Sequence, residues 1–310
     1  MRSAVFGLAI FSGAIFSITA AAADSCDRAC LNGWADRYLA AQASHDPSKL
    51  KISSDAQFTE NGHLLKFGEG FWKTAGKIAG FKLYVTDPEH QSVAVYTVLR
   101  ENGKRDPVLV VLRLKLKDGA IKEAETLLTR KAEVGSFFAP ENMQVVPPLF
   151  QQKIRPAEQD SRLQLMATAD GYFRAFETEG TDAYHKPAAL PDAQRDENGI
   201  RTTNVAIHGH PPLTVMQDFD EAHFKGMRIF DRRYPLVDTE AGLVLALVRF
   251  AASKDSPPEM QKEGPAPSTQ LGTAPFVAEI FAVTDGKIRQ VQALMAPGSL
   301  DVPTPFMPAE

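Results

Sequence analysis

"DAQFTENG" occupies residues 55–62 and "DAQRDENG" occupies residues 192–199, with six of the eight positions identical. The phrase is not alone. "ADRYLAAQ" (35–42) is echoed by "ADGYFRAF" (169–176), "DPEHQSV" (87–93) by "DTEAGLV" (238–244), and "DGAIKEAETLL" (118–128) by "DGKIRQVQALM" (285–295). The order is kept while the offset grows from 134 through 137 and 151 to 167. Growth without reordering marks a duplicated domain whose second copy carries insertions.

Each copy opens on a helical pattern. Leu31, Trp34, Ala35, Tyr38 and Leu39 fall on one face at helical spacing, and Leu165, Thr168, Ala169, Tyr172 and Phe173 take the same steps. Such a stripe reads as core packing. Apolar, β-branched runs follow, punctuated by Asn102-Gly103 and Asp118-Gly119, the turn chemistry of an antiparallel meander. The second copy repeats the runs and inserts a Pro/Gly-rich loop at 254–273. Between the copies, residues 133–157 carry the prolines of a linker. They also carry Phe137, Phe138, Val145, Val146, Leu149 and Phe150, so the segment is expected to lie packed across a domain surface.

One helical region followed by a bent antiparallel sheet is an α+β unit. The order of elements, "FTENG" (58–62) after the helix and "GEGFW" (68–72) opening a short helix resemble the SnoaL-like branch of the nuclear transport factor 2-like superfamily. The resemblance covers 26–131 and 158–296. It implies an α+β fold of two tandem cone-shaped domains, each with N-terminal helices packed on a curved antiparallel sheet. It also implies a pocket inside the cone, and no cofactor. The family includes isomerases, dehydratases, cyclases and epoxide hydrolases, and many binding domains without catalysis, so the fold alone does not choose a function. Cones of this resemblance often pair through their sheets, which makes an intramolecular pseudo-dimer the expected arrangement.

The first 23 residues read as a secretory leader: Arg2, an uncharged apolar run from Ala4 to Ile18, and Ala21-Ala22-Ala23 as a cleavage site. The run falls short of the ~20 apolar residues of a membrane span. The expected domains are a leader at 1–23, a first cone at 24–132, the packed linker at 133–157, a second cone at 158–298 and a tail at 299–310. Localisation is expected to be exported, periplasmic or secreted, with no membrane partner after cleavage. With a net charge of −4 the chain lacks the basic balance of a general nucleic-acid binder. Cys26 and Cys30 are the two cysteines. An oxidising compartment favours a disulfide between them over two free thiols, provided the first helical turn is distorted.

Chemistry in a cone needs an ionisable side chain among apolar walls. In "GMRIFDRRYP" (226–235), strand alternation puts Asp231 and Arg233 on the face of Met227 and Ile229, and Tyr234 on the other. The first copy lacks the acid. Asp231 and Arg233 are therefore catalytic candidates, against a solvated edge or a structural ion pair, and Tyr234 a substrate-binding one. His208 and His210 in "HGHPP" suit a general base; with no third ligand in view, no metal site is expected. Glu60 and Glu197 recur beside Asn-Gly turns, and with Asn198 they are candidates for the cone mouth or for a bond common to both copies. Glu69 in "GEGFW" and Glu279 in "FVAEIFAV" are weaker candidates. No nucleophile elbow, P-loop or dinucleotide fingerprint occurs. Two functions follow from the resemblance: a cofactor-free lyase, dehydratase or isomerase acting on a small apolar or aromatic substrate in the second cone, or a non-catalytic protein holding such a ligand.

Overall fold

The computed structural model describes residues 25–103, 106–178, 187–207, 211–220, 226–252 and 273–307. The first half holds α1 (Arg28–Ala43), β1 (Ile52–Glu60), β2 (His63–Leu65), β3 (Ala75–Asp87), β4 (Ser92–Glu101), β5 (Pro107–Lys117) and β6 (Ala120–Arg130). After α2 (Lys131–Val134) and the linker come α3 (Arg162–Thr178), β7 (Ala189–Glu197), β8 (Ile200–Arg201), α4 (Val215–Asp220), β9 (Arg228–Asp238), β10 (Leu243–Ala251), β11 (Phe276–Thr284) and β12 (Lys287–Ala296). The sheets have one topology, β2-β1-β6-β5-β4-β3 and β8-β7-β12-β11-β10-β9. Neighbours are antiparallel except β1–β6 and β7–β12, which run parallel. The chain is thus two tandem α+β cone-like domains.

Alternation along the strands gives each sheet two apolar faces. One face takes the helix: Leu31, Tyr38 and Leu39 pack with Phe58, Trp72, Val95 and Leu112 in the first half. Leu165, Tyr172 and Phe173 pack with Ile229, Val277 and Phe281 in the second. The outer faces pack on each other, joining Leu83, Tyr96 and Leu127 to Leu245, Ile280 and Leu294. Val134, Phe138, Met143 and Phe150 of the linker are buried in this shared core.

Polar contacts across the core are reciprocal. Arg28, at the start of α1, donates to both Asp238 carboxylate oxygens at 2.6 Å. Arg162, at the start of α3, donates to Asp87 at 2.6 Å. Asp238 also accepts from the Thr86 N–H, and Asp87 from the Val237 N–H. Residue i meeting j while the counterpart of j meets that of i is the signature of a two-fold interface.

The repeated Glu-Asn-Gly now has a physical account. The Asn61 side chain bonds both the N–H and the C=O of Leu128, and Asn198 bonds the Met295 N–H and the Phe137 C=O. Each asparagine ties its turn to the end of the parallel strand beside it. Gly62 and Gly199 sit at φ +83° and +84° where a Cβ has no room. It would lie 2.7 Å from Val302 in the first case and 2.2 Å from the Ala139 carbonyl in the second. The C-terminal extension of each half crosses the turn of the other.

Cys26 and Cys30 form a disulfide with a Cα–Cα distance of 5.3 Å. Cys26 lies outside the helix, ahead of the N-cap Asp27, so the bond closes without the helical distortion expected from a shared face.

Candidate functional site

Strand register aligns the two cones residue by residue. Across the helix-facing side of the first sheet runs the row Glu60, Thr126, Leu112, Val95. The same row in the second sheet is Glu197, Ala293, Glu279, Ala246. The glutamate at the edge is kept. The leucine has become a glutamic acid, and the residues on either side of it have shrunk to alanine. Two residues back along the strand, on the same face, Phe58 of β1 has become Arg195 of β7, beside Val291 where the first copy has Ala124.

Four charged residues on the helix side of the second cone, Arg195, Glu197, Asp218 and Glu279, form one buried cluster. Arg195 donates from Nη1 to the Tyr172 hydroxyl at 3.1 Å, from Nε to Thr202 at 2.9 Å, and from Nη2 to Asp218 of α4. Glu197 lies 3.4 Å from its Nε. Burial opposes charge on Arg195, but Tyr172, Glu197 and Asp218 outweigh it and hold its pKa above the ordinary value. Glu279 is 2% exposed, and its Oε2 has no hydrogen-bond partner among the described residues. Burial, reinforced by the charge of Glu197 and only partly offset by Arg195, pushes its pKa up to about 8. At neutral pH Glu279 is mostly a neutral acid. Around it Tyr172 makes edge-to-face contacts with Phe173, Phe219 and Phe281. The arrangement sets a carboxylic acid of raised pKa beside arginine-held carboxylates in an aromatic wall, a combination that acid–base chemistry uses.

The matching space of the first cone holds aromatic side chains. Trp72 is fully buried and donates its indole N–H to the Tyr38 hydroxyl at 3.1 Å. Glu60 accepts from the Phe71 N–H at 2.7 Å, which anchors the short helical turn Gly70–Lys73 carrying that tryptophan. Burial raises the pKa of Glu60 as well.

Asp231 and Arg233, expected together on the face of Met227 and Ile229, are parted in the structure. Strand β9 carries an extra residue between Phe230 and Arg233 and another between Arg233 and Leu236, as the register against β10 shows. Asp231 adopts φ +51° in the first of these bulges. Each bulge turns the following side chains to the opposite face. Met227 and Ile229 stay on the helix side, but Arg233 faces the other domain and donates to both oxygens of Glu125, at 2.6 and 3.2 Å. Arg113 donates to the same Glu125 at 2.8 Å. Asp231 accepts from Thr304 of the C-terminal tail at 2.5 Å. Tyr234 does reach the helix side, donating to Asp170 of α3 at 2.7 Å, as Tyr84 does to Asp36 of α1 at 2.6 Å. That bond is common to both copies and fastens helix to strand.

Asn198 is fully buried and bonded to backbone, so it lies outside any cone mouth. Glu69 accepts from the Lys66 N–H on the surface at 3.0 Å. His208 and His210 lie outside the described residues. Of the sequence candidates, the structure gathers Glu197 and Glu279. Arg195, Asp218 and Tyr172 went unnoticed as site residues. Arg195 was legible as one of the two positions at which the twin phrases differ, Phe58 against Arg195. The other difference, Thr59 against Asp196, points to the outer face, where Asp196 accepts from Arg201 and Gln292 at 2.5 and 2.8 Å.

Two open grooves of about 550 and 260 Å³ meet at Phe81 and Met143, where the linker crosses the sheet edges. They lie on the outer faces, away from the acidic cluster. Asp87, Glu89 and His90 stand close enough to suggest a cation site, but the Asp87 carboxylate is already bound by Arg162 and the Val237 N–H.

The fold and the buried cluster together define a tandem cone-like α+β protein with the element order that the SnoaL-like, nuclear transport factor 2-like resemblance implies. The chain belongs to the family described as "Domain of unknown function (DUF8021)", whose profile matches residues 24–128 and 158–295. No curated protein matches it. Among solved structures, a putative hydroxylase, AclR, from Streptomyces galilaeus is 16% identical, covering 33% of this chain and 81% of its own, with a TM-score of 0.28. A putative SnoaL-like polyketide cyclase from Jannaschia sp. CCS1 is 13% identical, covering 46% of this chain and 90% of its own, also with a TM-score of 0.28.

Proposed function

We propose that the second cone binds a small, largely apolar or aromatic molecule, and that its acid cluster moves a proton on that molecule without a cofactor, as a lyase, dehydratase or isomerase does. The observation that carries this is the row Glu197, Ala293, Glu279, Ala246 standing where the first cone has Glu60, Thr126, Leu112, Val95. Replacing Thr and Val by Ala withdraws volume on both sides of a new buried acid. A core position normally resists such shrinkage, because each lost methyl group lowers stability. An acid without a partner adds a further penalty. A ligand offsets both. The chain is proposed to act after export: the leader-like first 23 residues and the Cys26–Cys30 disulfide support this. The paired outer faces support a protein that meets its ligand as a monomer with an internal pseudo-dimer.

The test restores the first-cone row. Ala246→Val, Ala293→Thr and Glu279→Leu together place first-copy residues at matched positions. Native mass spectrometry of the purified wild type is expected to retain a small molecule, or to take one up from an extract, and the refilled variant to take up none while melting cooperatively. Equal uptake by the two proteins would move the site elsewhere.

A further inference from the structure

We infer that the groove of about 550 Å³ at the edge of the first sheet binds a small molecule carrying a guanidinium group. This site stands apart from the second cone and does not depend on the function proposed for it. Its chemistry is given by what the second half of the chain puts in the same place.

In the second half that place is filled by Arg249, which is 2% exposed. Its Nε and Nη2 donate to the Ala274 carbonyl at 2.9 and 2.7 Å, and Nη2 also to the Ser299 carbonyl at 2.6 Å. Nη1 donates to the Val302 carbonyl at 2.8 Å and to the Thr304 hydroxyl at 3.3 Å. All the donors of a guanidinium are thereby used. The group lies over the Phe276 ring, 4.0 Å from its centroid, and Asp231 is the acid that bears on it.

The first half keeps the frame of this cage without its arginine. Val98 stands as far beyond Ser92, the partner of Asp87, as Arg249 stands beyond Leu243, the partner of Asp238. Val98 pairs with Leu109 and Arg249 with Phe276, so Pro107 answers to Ala274. In the segment after each sheet, the Met143 N–H donates to the Pro140 carbonyl at 3.0 Å, and the Val302 N–H to the Ser299 carbonyl at 3.2 Å. Pro140 and Met143 therefore answer to Ser299 and Val302. Val98, Pro107, Pro140 and Met143 all line the groove. A valine in the position of the arginine leaves a volume in the ordinary range of small-molecule sites.

Charge and shape agree with a planar cation. Glu141 on the rim supplies the acid, and Phe81 and Met143 an apolar face. Lys77 and Arg100 are also on the rim, both exposed. Like charge at that distance does not close the site: Arg228, which answers to Lys77, shares the Phe230 ring with Arg249, at 5.7 and 5.6 Å. A carboxylate would bring only acceptors to a frame of carbonyls, and an ammonium lacks the planar fork.

Isotope labelling of glycine alone puts a probe in the groove, because Gly80 lines it. Gly80→Ala, with nothing within 4 Å of the added carbon, assigns the signal. Butylguanidinium, butylammonium and neutral butylurea are titrated into the full chain. Butylguanidinium is expected to give a saturable Gly80 shift with a Kd of about 1 mM, and the other two to bind roughly tenfold more weakly. Val98→Arg puts the second-half residue into the groove and is expected to abolish the shift while melting cooperatively. Glu141→Gln, a change of an exposed side chain, is expected to weaken binding roughly threefold. Arg249→Ala opens the cage itself, and butylguanidinium is expected to raise its Tm where butylammonium does not. No saturable Gly80 shift in the wild type overturns the inference, as does equal binding of butylammonium or butylurea, or a shift that persists in folded Val98→Arg. If Val98→Arg does not melt cooperatively, Glu141→Gln decides, and unchanged affinity there overturns the inference. An Arg249→Ala variant whose Tm the guanidinium leaves unmoved removes the cage on which it stands.

Discussion

The two cones share a topology and differ in what fills them. The first is packed with Phe58, Trp72, Val95 and Leu112, and a buried hydrogen bond between rings joins Trp72 to Tyr38. The second keeps the tyrosine, as Tyr172, but hands its hydroxyl to Arg195 and surrounds it with Glu197, Asp218 and Glu279. The interface treats the copies as equals, through Arg28–Asp238 and Arg162–Asp87. A duplicated fold can thus divide its tasks. One copy supplies an apolar core, and the other tolerates polar groups that lower stability because the pair is held through a common back wall.

If the second cone were only the first with a different filler, restoring a first-copy residue would be harmless. Arg195→Phe tests that most severely. It installs the residue of the first cone but leaves Asp218 and Glu197 buried without their cation. We expect a loss of about 3–5 kcal/mol in chemical denaturation, the usual consequence of removing one partner from a buried ion pair. A variant as stable as wild type would show that the cluster is solvated, and the contrast between the cones would collapse.

Glu279 sharpens the comparison through pH. Its pKa stands near 8 in the fold against 4.5 ordinarily. Between these values the native state keeps a proton that the unfolded chain has released. Stability from this group is therefore fully present below about pH 4.5 and is lost as pH rises towards 8. The slope is on the order of 1 kcal/mol per pH unit, roughly 3 kcal/mol over three units. Glu279→Leu removes the slope, so its advantage over wild type should widen from pH 5 to pH 8. Parallel stability profiles for the two proteins would place Glu279 in contact with water.

At the interface the expectation is near-sameness. Asp87→Asn weakens one charge-assisted bond to Arg162, Asp238→Asn a two-oxygen bond to Arg28, and each weakens a bond to a backbone N–H of the other half. Each should cost about 2 kcal/mol, with Asp238→Asn the costlier of the two by one bond. A large loss for one and none for the other would mean that the halves are not joined by equivalent contacts.

How much of this was legible varies by element. The duplication was readable from four echoes in fixed order, and the helix-then-meander pattern followed from periodicity. The parallel β1–β6 and β7–β12 pairings were not, because period-2 alternation says nothing of strand direction. Asp231 was misplaced because alternation assumes an unbroken strand. Two extra residues in β9 invert the faces, and an aspartate at positive φ in a bulge looks in sequence like any strand residue. Glu279 was visible as a charge in an apolar run, but its weight came only from the register, which set it against Leu112 and between two alanines. Arg195 stands at one of the two positions where the twin phrases part, a weaker signal than the six residues they share.

The smallest expected effect concerns how each copy starts its helix. In α3, Ser161 caps the first turn and Gln164 reaches back to the Ser161 N–H at 2.9 Å, a reciprocal capping box. In α1, Asp27 accepts from the Cys30 N–H at 2.8 Å, and the return link is covalent, from Cys30 to Cys26. Cys30 occupies the position of Gln164, so the disulfide does the work of a side-chain hydrogen bond. It encloses a very short loop, and the chain-entropy contribution is about 2 kcal/mol at most. Cys26→Ala with Cys30→Gln would rebuild the second copy's solution on the first helix, with Asp27 in the place of Ser161. We expect it to lose no more than about 1 kcal/mol relative to wild type in a thermal melt, and less than Cys26→Ala with Cys30→Ala, which lacks the returning side chain. If the glutamine and alanine variants melt together, well below wild type, the disulfide secures something beyond the first turn. The link between Cys26 and Gln91, 2.7 Å from the Cys26 N–H to the Gln91 side chain, would then be the contact to examine next.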